Sequence, residues 1–177
     1  MRLFIALPFS DNAKNYLEGL QSKLPEAKMN INHHFHITLQ FLGEASIAQA
    51  QVIMNELKKI SFKKFFVDFG KIGFFKNKRG FIQLVYVDII MPEDLKKLQI
   101  QVENLMKTLG FYPDKPFKPH ITLTRIKFAD DKTFEDQLNK IQTQNILETI
   151  DKMVLFESVL SPEGASYNEL LTINANE

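Results

Sequence analysis

The tetrapeptide His-Ile-Thr-Leu occurs twice in this chain, at residues 36–39 and 120–123. Each copy sets a histidine and a threonine two residues apart, the spacing at which both side chains leave the same face of an extended strand, about 7 Å apart at the backbone. Ile37, Leu39, Ile121 and Leu123 then point the other way, into a core. Imidazole can give or take a proton near neutral pH, and the two copies use two of only four histidines. If the copies face each other across a groove, two imidazoles and two hydroxyls surround one small anionic centre. That set suits in-line displacement at phosphorus. One neutral histidine takes a proton from water, the other protonates the departing oxygen, and the threonine hydroxyls donate to the non-bridging oxygens. Such chemistry calls for neither metal nor cofactor. A single His-x-Thr is more often only the wetter face of a strand; a second copy at an equivalent place weighs against that.

Equivalent places require a repeated frame, and the order of elements supplies one. Residues 3–7 read as a buried strand, followed by a helix capped by Ser10 or Asp11, carrying Ala13, Tyr16, Leu17, Leu20 and Leu24 and ending at Pro25. The first motif strand comes next. Ser46 then caps a helix with Ile47, Ala50, Ile53, Met54, Leu57 and Ile60 on one side. Strands over residues 65–74 and 81–89, joined by the polar turn at residues 76–80, form a hairpin. The order then begins again. Pro92-Glu93-Asp94 opens a helix that stops at Gly110, and the second motif strand follows. A short helix around Phe134, Leu138 and Ile141 precedes strands over residues 153–160 and 167–173, joined by Ser161-Pro162-Glu163-Gly164. The chain reads as one domain over residues 1–177, a duplicated α+β unit in two lobes of about residues 1–80 and 81–177.

Composition narrows the alternatives. A chain of 177 residues with 45% hydrophobic and 24% charged residues is neither disordered nor fibrous. The absence of cysteine removes thiolate nucleophiles, disulfides and Cys-ligated metals. A net charge of +1 means that a polyanion must be met by a local patch. No signal peptide or eighteen-residue apolar run is visible, so the expected compartment is the cytoplasm, without membrane attachment.

The opening RLFIALPF, the first motif HITLQFLGE, the second with its lead-in DKPFKPHITLTRIK, and the tail LFESVLSPEGASY stand in that order. Together they resemble the landmarks of the 2H phosphoesterases, and within them the RNA 2',3'-cyclic phosphodiesterases of the bacterial 2'-5' RNA ligase-like branch. The resemblance spans almost the whole chain. It implies two antiparallel sheets flanking a central groove with helices outside, no metal, and hydrolysis of 2',3'-cyclic phosphate ends to 2'-phosphates. It also implies His36 as proton donor to the 3'-oxygen, His120 as proton acceptor from water, and Thr38 and Thr122 on the phosphate. Arg125 matches a family arginine that approaches the phosphate. Strict alternation from His120 puts it on the opposite face, so it reaches the groove only through a bulge or the strand's end. The chain departs from the family pattern at Met29, Asn30 and Asn32-His33-His34, where an aromatic residue and Pro-Glu-Asn are usual, and at Gln40, where Arg or Lys is usual.

Other features have plainer readings. His33 and His34 form HHxH with His36, but only His34 shares its face and no carboxylate completes a ligand set, so both read as a solvated loop. Lys58, Lys59, Lys63 and Lys64 read as surface, as do Lys76, Lys78 and Arg79 unless that turn lines the groove. Phe9 and Tyr167 are candidates for contact with a base of single-stranded RNA. The expected partner is RNA with a 2',3'-cyclic phosphate end, or a related cyclic nucleotide, met by a monomer without an obligate protein partner. The alternatives are a phosphodiesterase of small cyclic nucleotides, a reversible 2'-5' RNA ligase, and a non-catalytic nucleotide-binding module.

Overall fold

Alternation on the strands and capping signals at the helices account for most of the elements. The computed structural model describes residues 1–129, 131–161 and 164–176. In chain order the elements are β1 (Arg2–Pro8), α1 (Asp11–Gln21), β2 (Lys28–Ile31), β3 (His36–Glu44), α2 (Ile47–Leu57), β4 (Phe65–Lys76), β5 (Ile82–Ile90), α3 (Glu93–Thr108), β6 (His120–Phe128), α4 (Asp131–Leu138), β7 (Leu147–Ile150), β8 (Lys152–Ser161) and β9 (Gly164–Asn174). Ser10 caps α1 by accepting from the Ala13 amide, and Ser46 with Gln49 forms a full capping box on α2. α1 ends at Gln21, before Pro25, and Gly110 leaves α3 with φ 86. Ile47, expected on the apolar face of α2, is instead 80% exposed. Of the turn at residues 161–164, Pro162 and Glu163 lie outside the described residues.

Two antiparallel sheets form, ordered β3-β1-β8-β9 and β2-β6-β5-β4-β7. They do not divide at about residue 80, which falls in the turn of the β4–β5 hairpin, inside the five-stranded sheet. Each half runs strand, helix, strand, helix and lends later structure to the sheet of the other, β4 from the first half and β8 with β9 from the second. β4 pairs with β5, while β8 crosses back to pair with β1. The hairpin decides this, because a short turn pairs β4 with its sequence neighbour before any distant strand can compete. β2 and β7, four residues each, are additions that the sequence does not announce; β2 joins β6 and β7 joins β4.

The outer faces of both sheets and the inner faces of α1 to α4 share one core. Leu3, Ile5, Leu7, Ile37, Val85, Val87, Ile121 and Leu123 meet Leu17, Leu20, Ile53, Leu57, Leu95 and Val102 there. A second cluster of Phe4, Ala6, Val154 and Phe156, with Tyr167 against it, lies on the other face of the four-stranded sheet. That apolar floor supports the site. No helix among the described residues is long and apolar enough to cross a membrane.

Candidate active site

β3 and β6 belong to different sheets, and the two sheets bring His36, Thr38, His120 and Thr122 to one cleft of about 710 Å³. Both strands are interrupted at the same point. Ala6 pairs with Thr38 but Ile5 with Gln40, and Tyr86 pairs with Thr122 but Val85 with Thr124. One residue of the partner thus faces two of the motif strand, the signature of a bulge. Leu39 and Gln40 are both buried, as are Leu123 and Thr124. Alternation resumes out of phase, and the next residues, Phe41 and Arg125, return to the cleft. The condition set for Arg125 by strict alternation is met in this way.

Each imidazole is braced from behind. His120 Nδ1 lies 2.7 Å from the Lys118 carbonyl, which can only accept, so in the neutral ring Nδ1 carries the proton and Nε2 the lone pair. Its ring meets Phe75 edge-on at 5.3 Å and Tyr86 at 5.4 Å. Lys118 Nζ donates to the Tyr86 hydroxyl at 2.7 Å and fixes that ring. His36 packs against Phe4 at 5.2 Å, Tyr167 at 5.6 Å and Phe156 at 6.4 Å. Burial on this floor pushes the His36 pKa down to about 4, against a backbone hydrogen bond with His34 and with the His34 and His120 charges adding to the drop. Burial lowers His120 as well; the bond to Lys118 opposes it, the Lys118 charge assists it, and Asp88 favours the charged ring. Both shifts favour the neutral rings near pH 7.

Polar bridges tie the two motifs together. Asn32 Nδ2 donates to the carbonyls of His34 at 3.1 Å and Thr122 at 2.8 Å. Gln21 Nε2 donates to the carbonyls of Asn32 at 2.6 Å and of Leu123, at the bulge, at 2.7 Å. Sequence reading passes over Gln21 and marks Asn32 only as a departure from the family pattern, because each bonds to backbone that is distant along the chain.

One expectation needs correction. Phe9 is 4% exposed and packs edge-on against Phe69 at 5.3 Å. At the turn from β1 into α1 its ring goes beneath the helix, so it cannot reach a base. His33 and His34 sit in an exposed loop, as the sequence reading expects, and that loop borders the cleft: both line it, and the His34 ring lies 5.0 Å from Tyr167. Lys76, Lys78 and Arg79 lie outside the cleft, and Lys76 pairs with Glu135 at 2.7 Å. Tyr167 does line it; burial raises its pKa while Arg125 and Arg2 oppose the rise. Phe41, 60% exposed, went unread although it stands at the same offset from its histidine as Arg125. All four histidines and two arginines border the cleft, and no described residue lining it is a carboxylate. Such a surface receives an anion.

Two antiparallel sheets that each present a His-x-Thr pair to a shared cleft, with helices behind, define a 2H phosphoesterase. The family described as LigT like Phosphoesterase matches residues 7–86 and 89–167, and the chain belongs to it. A protein named RNA 2',3'-cyclic phosphodiesterase from Archaeoglobus fulgidus is 29% identical over 174 residues, covering 96% of this chain and 98% of its own. One of the same name from Aquifex aeolicus is 34% identical over 139 residues, 75% of this chain and 73% of its own. The crystal structure of Escherichia coli LigT complexed with 3'-AMP superposes with a TM-score of 0.80 at 20% identity, over 99% of this chain and 98% of that one, and shows the shared fold.

Proposed function

We propose that this protein hydrolyses RNA 2',3'-cyclic phosphate ends to 2'-phosphates by acid–base catalysis between His36 and His120. The observation that carries the reading is the single carboxylate-free cleft in which both His-x-Thr pairs and Arg125 meet. The names of the relatives supply the substrate class.

Water attacks phosphorus in line with the P–O3' bond. His120 Nε2 takes the water proton as the new P–O bond forms, and His36 gives a proton to O3' as the old bond breaks, leaving a 2'-phosphate and a 3'-hydroxyl. The two environments suit this division. His120, near Asp88, holds the more basic lone pair, while a charged His36 on its apolar floor is a strong proton donor. The substrate's own negative charge, placed between the rings, draws in the proton that burial has excluded. Thr38, Thr122 and Arg125 donate to the non-bridging oxygens, where charge builds. Phe41 offers a flat apolar face to the terminal base. Because imidazolium, hydroxyl and guanidinium supply the charge stabilisation, the reading needs no metal.

The test is an oligonucleotide with a 2',3'-cyclic end, incubated in EDTA, with the position of the product phosphate read out. Turnover to a 2'-phosphate is expected, with His36→Ala and His120→Ala each slower by about 10²–10⁴-fold. A 3'-phosphate product, dependence on metal, or a fully active histidine variant would overturn it.

A further inference from the structure

We propose that Arg2 forms a second anion subsite, one nucleotide from the catalytic pair, which holds the phosphodiester joining the terminal nucleotide to the rest of an RNA chain. The proposal rests on the function proposed above and specifies its substrate as a strand end.

The argument comes from the register of β1 on β3. Thr38 stands opposite Ala6, Phe41 opposite Phe4, and Glu44 opposite Arg2. Alternation along β1 sends Leu3, Ile5 and Leu7 to the main core and turns Arg2, Phe4 and Ala6 towards the cleft. From the centre to the rim, the four-stranded sheet thus presents a phosphate-binding pair, an exposed aromatic ring and a guanidinium. The sequence phosphate, base, phosphate along a nucleotide chain has the same order. Arg2 lies four steps along β1 from Ala6, about 13 Å at the backbone. That is too far for Arg2 and Thr38 to share one phosphate without the arginine folding back over Phe4.

Nothing described neutralises Arg2. Glu44, its partner across β3, instead meets the N-terminal amine at 3.5 Å, and no ion pair to Arg2 occurs among the described residues. On its other side Arg2 stands opposite Ser158, which also lines the cleft and offers a hydroxyl to the same anion. The Arg2 charge acts on the Tyr167 phenol, so its field reaches the cleft as well as the rim. Guanidinium is the side chain best shaped for two phosphate oxygens at once.

The experiment compares kcat/KM for adenosine 2',3'-cyclic phosphate and for the dinucleotide ApA with a 2',3'-cyclic end, in the wild type and Arg2→Met, over a range of salt. The wild type is expected to favour the dinucleotide at least about fivefold, with a salt slope steeper by about 0.7 for the one added phosphate contact. In Arg2→Met the preference falls to within about twofold and the two slopes coincide, while the mononucleotide rate moves by less than about twofold. A methylphosphonate linkage in the dinucleotide produces the same loss in the wild type and none further in the variant. A wild type without preference, a variant that keeps it, or a variant that slows both substrates alike would overturn the proposal. If neither substrate turns over, the proposed function fails instead; the affinities of the 2'-phosphate products, with and without the upstream linkage, then test Arg2 on the same criteria.

Discussion

Phe41 and Arg125 occupy equivalent positions in the two halves of the molecule. Each stands five residues beyond its motif's histidine, and each is turned into the cleft by an extra residue in its strand. The fold is duplicated there and the chemistry is not: one sheet contributes an apolar ring, the other a cation.

This division predicts separable defects. Phe41→Ala raises KM for nucleoside 2',3'-cyclic phosphates by about 5–100-fold and leaves the rate on ribose 2',3'-cyclic phosphate lacking a base unchanged, because a stacked base is worth roughly 1–3 kcal/mol. Phe41→Tyr retains affinity. Arg125→Ala slows both substrates by about 10²-fold, and Arg125→Lys recovers only part, since a point charge does not replace a two-pronged donor. Equal loss on both substrates in Phe41→Ala would remove the stacking role.

The pH profile follows from the two depressed imidazoles. Productive free enzyme carries one proton on the pair. Below the lower pKa, about 4, both rings are charged and the base is lost; above the upper, itself below the usual histidine value, both are neutral and the acid is lost. kcat/KM therefore peaks on the acid side of neutrality, between about 4 and 6.5. The kcat profile, which reports the bound complex, lies at higher pH because the substrate's charge raises both values. A kcat/KM optimum above pH 7.5 would contradict the burial argument.

Gly73 is held by a close approach and not by its backbone angles. A Cβ there would lie 2.7 Å from Cζ of Tyr86, the ring that braces His120 and receives Lys118. Gly73→Ala is expected to cost about 1–3 kcal/mol in thermal or urea denaturation, and to lower kcat more than it raises KM. Retained kcat in a destabilised variant would show that Tyr86 does not position the imidazole.

Phe9→Ala gives the opposite pattern. The ring is buried against Phe69, so its removal costs about 3–5 kcal/mol of stability in denaturant titrations and leaves KM within about twofold at temperatures where the variant is folded. A raised KM without loss of stability would restore the base-stacking role that the structure denies it.

The sequence by itself determined what is set within a few residues. Ser10, Ser46 with Gln49, and Gly110 mark helix ends because their bonds and backbone angles are local. His36 with Thr38, and His120 with Thr122, share faces because strand alternation is a property of the strand alone. Tertiary structure decided whatever depends on a partner distant along the chain. Which strands pair is such a choice, and β8 returns to β1 although most of the chain intervenes. The bulges are another. Buried Gln40 donates through Nε2 to the Phe111 carbonyl and Thr124 donates to the Asn30 carbonyl, bonds that meet part of the polar demand the extra residue turns inward; Gln40 Oε1 has no partner among the described residues. Their local sequences, LQF and LTR, carry no glycine or proline to announce a change of phase. Burial settled the rest: it took Phe9 from the site and made His36 a far weaker base than an imidazole in water, because the cost of charging a ring depends on what packs around it.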